Sequence, residues 1–167
     1  MKKVFSLCLI CLLAVSAMAQ DQNVNVVVVG GGSSSNSGAY VDLGLPSGTL
    51  WKRQNESGYY TYEEALNRFG SKLPERHHFV ELINECTWIW IKDYGYKVVG
   101  PNGNSITLPA AGYRYCDGDV DLVGTNGYYW SSTPYDSDVA WSLYFYSGRV
   151  NMYGNDRCNG RSVRLVQ

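Results

Sequence analysis

From Val139 onward, apolar and polar side chains alternate so regularly that few folds stay open to the chain. The odd positions are Val139, Trp141, Leu143 and Phe145, and the even ones are Ala140, Ser142, Tyr144 and Tyr146. Successive side chains of a strand point to opposite faces, so this period of two predicts a strand buried on one side. Ser147-Gly148 then reads as a two-residue turn. Folding back about it sets Tyr146 opposite Arg149, Phe145 opposite Val150, Tyr144 opposite Asn151, Leu143 opposite Met152, and Ser142 opposite Tyr153. Every inward pair is apolar, and every outward pair is drawn from Tyr, Ser, Asn and Arg. Such a ribbon needs a core beneath it and carries a polar, aromatic surface above.

That outward composition suits recognition. Tyr supplies rigid amphipathic area, while Ser, Asn and Gly adapt their hydrogen bonds to a partner. Tyr144, Tyr146, Arg149, Asn151 and Tyr153 are therefore candidate ligand contacts. Tyr135, Asp136 and Asp138 precede the ribbon, and Asn155, Asp156, Asn159 and Arg161 follow it. These flanking residues are candidates as well, although Asn and Asp also favour turns for backbone reasons.

The N-terminus has the form of a secretory signal peptide over residues 1–19: Lys2-Lys3, an apolar stretch from Val4 to Val15, and the cleavage pattern Ala17-Met18-Ala19. The apolar stretch is short of the roughly 20 residues a spanning helix needs, so no membrane insertion of the mature form is expected. Cys8 and Cys11 lack the small residues of a lipoprotein cleavage box. Loss of Lys2 and Lys3 takes the basic residues from 14 to 12 against 15 acidic ones, a mature charge of −3. That balance gives no reason to expect nucleic acid as a partner. The protein is expected to be secreted, periplasmic or on the cell surface.

Residues 20–39 divide into a β-prone run, Asn23–Val29, and a Gly/Ser/Asn-rich linker. A single domain is expected over residues 40–167, about 130 residues and enough for a sizeable core. Thr61-Tyr62-Glu63-Glu64 is a capping box that opens a helix with Ala65, Leu66 and Phe69 on its apolar stripe, and Gly70 stops it. A second helix follows Pro74, with Phe79, Leu82, Ile83 and Cys86 at helical spacing. Short strands follow at Trp88–Ile91, Tyr96–Val99, Ser105–Leu108, Tyr128–Ser132, the ribbon and Ser162–Val166, with a Gly- and Asp-rich loop over Cys116–Gly127. Helices early and strands late predict an α+β domain.

Cys86, Cys116 and Cys158 remain after the leader, so one disulfide at most can form; Cys86–Cys116 is the expected pair, with Cys158 either bonded to one of these or free. No Cys-x-x-Cys motif or His/Cys cluster points to zinc. His77-His78 are adjacent on a helix and point about 100° apart, with no third ligand nearby. Asp117, Asp119 and Asp121 alternate as in a calcium loop but lack its terminal glutamate. No nucleophile–base pairing and no phosphate loop is evident, so neither an enzyme nor a cofactor is expected.

Several runs resemble one family. They are Tyr40-Val-Asp-Leu-Gly-Leu-Pro-Ser-Gly-Thr-Leu-Trp51, Leu73-Pro74, Leu108-Pro-Ala-Ala-Gly-Tyr-Arg114, Gly127-Tyr-Tyr-Trp-Ser-Ser-Thr133 and Gly160-Arg-Ser-Val-Arg164. Together they resemble the bacterial major paralogous domain (FISUMP) family, which is similar to C-type-lectin-like and formylglycine-generating-enzyme folds. The resemblance implies a C-type-lectin-like architecture: two helices flanking a late, hairpin-rich antiparallel sheet, with the first strand (around Tyr40–Leu43) paired to the last (Ser162–Val166). Arg114 and Arg164 are expected to serve as structural ion-pair or backbone hydrogen-bond donors in the closing strands. Calcium-dependent lectins of this fold carry Glu-Pro-Asn and Trp-Asn-Asp triplets; here Gly100-Pro101-Asn102 and Trp141-Ser142-Leu143 stand instead, so calcium-dependent sugar binding is not expected.

The stretch from Trp130 to Gln167 further resembles the variable region of proteins diversified by retroelements, which randomise template adenines. An asparagine codon randomised at its adenines cannot become Lys, Glu, Gln, Trp or Met. Between Tyr135 and Arg161 there is no Lys, Glu or Gln, and the unreachable Trp141 and Met152 fall on the inward face. The resemblance implies an adhesin- or receptor-type protein binding a protein or glycan on another cell or host surface. The alternative is a carbohydrate- or matrix-binding protein of the same fold without diversification.

Overall fold

The structure is a computed structural model that describes residues 38–167. The expected leader over residues 1–19, and the tail and linker as far as residue 37, lie outside the described residues. The described chain is α+β, with strands β1 (Tyr40–Asp42) and β2 (Leu50–Lys52), helices α1 (Tyr62–Phe69) and α2 (Arg76–Glu85), then β3 (Thr87–Ile91), β4 (Gly95–Val99), β5 (Ser105–Pro109), β6 (Ala111–Arg114), β7 (Val120–Val123), β8 (Asn126–Pro134), β9 (Val139–Tyr146) and β10 (Arg149–Asp156). β1 and β2 form a hairpin, β3-β4-β5 a three-stranded antiparallel sheet, and β10-β9-β8-β6-β7 a five-stranded sheet whose one parallel contact is between β6 and β8.

The capping box at α1 forms as expected. The Glu64 N–H donates to Thr61 Oγ1 at 3.3 Å, and the Thr61 N–H donates to Glu64 Oε2 at 2.8 Å, so two otherwise unpaired donors are satisfied reciprocally. Gly70 ends the helix at φ +51°, and a short 3-10 turn, Gly70–Lys72, follows. At α2 the N-cap residue is Glu75, and an imidazole one turn on reaches back to it: His78 Nδ1 accepts from the Glu75 N–H at 2.9 Å. Burial, and then the neighbouring His77, hold His78 below the ordinary histidine value of 6.5, while Glu75 and Glu81 pull the other way.

A depressed folded-state value means that the unfolded chain binds this proton more tightly. The contribution of His78 is therefore complete above about pH 6.5 and fades as pH falls below it. Unfolding free energies from urea titrations at pH 7.5 and pH 5.0 should differ by about 1 kcal/mol or less from the lost cap. His78→Gln, which keeps an uncharged acceptor, should flatten that part of the profile. An unchanged pH profile in His78→Gln would remove His78 as its source.

Two cores flank the large sheet. Leu143, Phe145, Met152 and Tyr129 on its inner face meet Phe79 and Leu82 of α2, Trp51, and Tyr96, Val98, Ile106 and Leu108 of the three-stranded sheet. On the opposite face, at the far end, Trp130 and Ala140 meet Tyr62 and Ala65 of α1 with Leu73, Val163 and Leu165. This second core corrects the simple inward/outward reading of β9. Ala140 and Ser142, on the nominal outward face, are fully buried, while Val139 and Trp141 are half-buried. The expected segregation begins at Leu143.

The closing segment also differs from expectation. β1 pairs with β2 and not with residues 162–166. It is β2 that meets the C-terminus: the Leu50 N–H donates to Gln167 O and the Lys52 N–H to Leu165 O, both at 2.9 Å. The turn after Leu43 brings β2 back between them. Residues 162–166 form no strand, because their partners lie on different elements: Ser162 bridges Tyr129 and Val166 bridges Trp51. The expected loop over Cys116–Gly127 contains β7 and the start of β8. Among the described residues no helix is long and apolar enough to cross a membrane.

Candidate functional site

The ribbon has the register read from the sequence: Tyr146 opposite Arg149, Phe145 opposite Val150, Tyr144 opposite Asn151, Leu143 opposite Met152 and Ser142 opposite Tyr153. Leu143 and Phe145 are completely buried, whereas Tyr146 is 39% and Tyr153 37% exposed. Gly148 turns the chain at φ +94°, a conformation glycine adopts without the strain a side chain brings. The tip is held from the other sheet by Tyr96, whose hydroxyl donates to Tyr146 O at 3.2 Å and accepts from the Gly148 N–H at 3.1 Å.

The candidate tyrosines belong to a longer strip. β8 pairs with β9 so that Tyr128 lies opposite Tyr144. Ring-to-ring contacts then run Tyr115 to Tyr113 (4.6 Å), Tyr113 to Tyr128 (4.9 Å), Tyr128 to Tyr144 (4.9 Å), and from Tyr144 to Tyr146 (5.9 Å) and Tyr153 (5.6 Å). Six rings from β6, β8, β9, β10 and the residue just past β6 thus form one aromatic surface. Asn126 Nδ2 donates to the Tyr144 hydroxyl at 3.0 Å, and Arg149 lies over the Tyr153 ring and donates to its hydroxyl. Burial raises the Tyr113 and Tyr128 phenols above their usual value, so both stay neutral donors at physiological pH. Tyr113, Tyr115 and Tyr128 are absent from the residues proposed from sequence. For Tyr128 the signal was present, since the alternation in Gly127-Tyr128-Tyr129-Trp130 places it on the face opposite the buried Tyr129.

A concavity lies at each end of the strip. One, of about 430 Å³, is lined by Trp90, Lys92, Asp93, Asn126, Tyr144 and Tyr146. The other, of about 460 Å³, is lined by Tyr113, Tyr115, Tyr128, Asn155, Asn159 and Arg161, with Asp117, Asp156 and Cys116 also on its wall.

The flanking candidates divide. Asn155 and Asp156 lie on β10 itself and reach the second concavity together with Asn159 and Arg161, both of which are buried. Asn151 is exposed on the strip side, and its Oδ1 accepts from the Met152 N–H at 2.8 Å. Tyr135 is exposed but packs edge-on against Trp141 at 5.0 Å, on the sheet's other face, and so does not join the strip. The Asp136 carboxylate accepts from the Asp138 and Val139 N–H groups at 2.9 and 2.7 Å, which makes it a turn residue. Asp138 is exposed beside Glu63 and Arg157, away from the strip.

The disulfide joins Cys116 to Cys158, not Cys86 to Cys116. Arg114 and Gly160 exchange backbone hydrogen bonds of 2.8 and 2.7 Å, and this pairing brings the two half-cystines to a Cα separation of 5.2 Å. Cys86 ends α2 against the main core as a free thiol, pushed up to about 11 by burial. The bridge closes 42 residues of chain, a loop whose closure stabilises by about 4 kcal/mol in the chain-entropy account. It suits an oxidising, extracytoplasmic compartment. Among the described residues no cluster of His, Cys, Asp or Glu forms a metal-binding group.

Residues 87–166, from β3 to the closing segment, match the model of a family described as a domain of unknown function, DUF8237. No curated protein and no solved structure matches the chain.

Proposed function

We propose that the chain is an exported ligand-binding protein, of adhesin or receptor type, whose contact surface is the tyrosine strip with Arg149 and Asn151. The observation that carries this reading is the continuity of six tyrosine rings across four strands and an adjoining residue of one face. Solubility alone asks for no such aromatic surface, and Tyr-rich faces recognise ligands by shape, stacking and hydrogen bonding. The FISUMP resemblance and a C-type-lectin-like scaffold fit this reading, as do two helices beside a mostly antiparallel sheet.

The diversified-protein reading takes a narrower form here. Tyr144, Tyr146, Arg149, Asn151 and Tyr153 are the positions free to vary, since none of them belongs to a buried core. Cys158 and Arg161 belong to the scaffold, one through the disulfide and the other through burial. A carbohydrate ligand is favoured by the concavity beside Trp90, Tyr144 and Tyr146, where sugar rings can lie against aromatic faces.

Glycan and cell-surface-protein arrays, probed with the full-length protein and its Tyr144→Ala/Tyr146→Ala variant, test the function. A ligand bound by the parent should be lost by about tenfold or more in the variant, as for hot-spot aromatics, and EDTA should change nothing. Undiminished binding by the variant would move the site elsewhere. Gene sequences from sibling isolates test diversification separately: variation is expected at the five outward positions, with Leu143, Phe145 and Met152 constant. Identical outward residues throughout would leave the carbohydrate- or matrix-binding alternative.

A further inference from the structure

Arg161 and Arg164 lie three residues apart and are equally hidden, at 2% and 1% exposure. Their partners differ completely. Arg164 donates to Asn55 Oδ1 (2.8 Å) and to the carbonyls of Lys52 (2.9 Å), Arg53 (2.8 Å) and Thr107 (2.6 Å). Arg161 has buried Nε and Nη1 atoms with no hydrogen-bond partner, and no carboxylate among the described residues forms an ion pair with it. Its backbone is fixed by exchanging hydrogen bonds with Tyr60 at 2.9 and 3.0 Å. Its guanidinium carbon lies 4.7, 4.9 and 5.5 Å from the ring centres of Tyr128, Trp130 and Tyr113.

Aromatic faces attract the cation but accept few of its hydrogen bonds. A buried charge without an acceptor is costly, so such a group calls for an anion. Burial lowers its proton affinity to about 10, which still leaves it charged at neutral pH. Asp156 lines the same concavity, yet it is exposed and makes no ion pair.

We propose that the concavity of about 460 Å³ at Arg161 is a subsite for a carboxylated saccharide, with the carboxylate on Arg161 and the sugar ring against Tyr113, Tyr115 and Tyr128. The inference rests on the reading of the strip as a ligand surface and names the chemistry at one end of it. A carboxylate oxygen makes a charge-assisted hydrogen bond to a guanidinium, stronger than one from a neutral acceptor. Sugar C–H faces suit tyrosine rings, and the concavity has the volume of a small-ligand site. The amides of Asn155 and Asn159 line it and suit ring hydroxyls; Asn155 Nδ2 already donates to Ser142 Oγ at 2.7 Å, which holds that side chain in place.

Calorimetric titration of the full-length protein at neutral pH tests this with four probes: sodium D-glucuronate, D-glucose, sodium acetate and N-acetyl-glutamate amide. Glucose keeps the ring without the carboxylate, and acetate keeps the carboxylate without the ring. Glucuronate should bind about tenfold tighter than either, as a charge-assisted contact on a stacked ring implies. Arg161→Gln should abolish the preference. Because a change at a buried position can also unfold the chain, Asp156→Asn serves as a second variant: it removes an exposed competing charge and should raise the preference for glucuronate over glucose by about threefold.

Glucuronate binding no tighter than glucose, acetate binding as tight as glucuronate, or indifference to Asp156→Asn would overturn the proposal. N-acetyl-glutamate amide binding tighter than glucuronate would overturn the saccharide class in favour of an acidic protein segment. Array ligands captured through Tyr144 and Tyr146, without any glucuronate preference, would sink this subsite alone. No ligand by either route would sink the reading of the strip as well.

Discussion

Arg164→Met should be among the most destabilising single substitutions in the domain, costing about 3–5 kcal/mol, the range seen when a buried charged network loses one member. The side chain gathers Asn55, Lys52 and Arg53 from β2 and the residues after it, and Thr107 from β5, onto the closing segment. Removing it leaves three carbonyls and an amide oxygen without their donor. For a domain of this size the loss corresponds to a fall in Tm on the order of 10–20 °C. Arg164→Lys should recover less than half of it, since an ammonium cannot reach along the several directions of the planar fork. Arg161→Met should cost much less than Arg164→Met, because Nε and Nη1 of Arg161 give up no hydrogen bond. A denaturant titration placing Arg164→Met within about 1 kcal/mol of the parent would dismiss this account.

Phe145→Ala and Tyr146→Ala, neighbours in sequence, should separate stability from binding. Phe145 is fully buried and contacts Tyr96 at 5.4 Å edge-on and Tyr129 at 5.9 Å stacked. Its ring so fills the space over Gly127 that a Cβ there would stand 2.0 Å from Phe145 Cζ. Truncation should therefore cost about 3–5 kcal/mol through lost transfer energy and the cavity left behind. Tyr146, 39% exposed, should cost about 1 kcal/mol or less and weaken binding instead. Should Tyr146→Ala destabilise as much as Phe145→Ala, the outward face would be part of the core, and the ligand reading would lose its basis.

The elements read most easily were those specified by local chemistry. The α1 capping box, the apolar spacing of α2 and the Ser147-Gly148 turn each involve residues within a few positions of one another, and each formed where expected. The parts that were not legible depend on distant partners. β6, β7 and β2 are short, and nothing in their sequences marks the strands beside them. The burial of Ala140 follows from α1 and the closing segment lying across one end of the sheet, which no period along β9 can announce. Of the candidate contacts, Tyr144, Tyr146, Arg149, Asn151 and Tyr153 share the strip side by alternation alone. Tyr135 and Asp136 went elsewhere because a loop obeys no such period.

By itself, then, the amino-acid order determined which side of the ribbon is greasy and which is wet from Leu143 to Met152, because a strand's side chains alternate in direction whatever surrounds them. Only the tertiary structure decided that Cys116 meets Cys158, that Tyr113 and Tyr115 extend the strip, and that Arg161 is enclosed by rings while Arg164 is enclosed by carbonyls. Those outcomes depend on which segments the closing chain passes between. Such long-range placement comes from the packing of the two cores as a whole, and it leaves no periodic trace in the sequence.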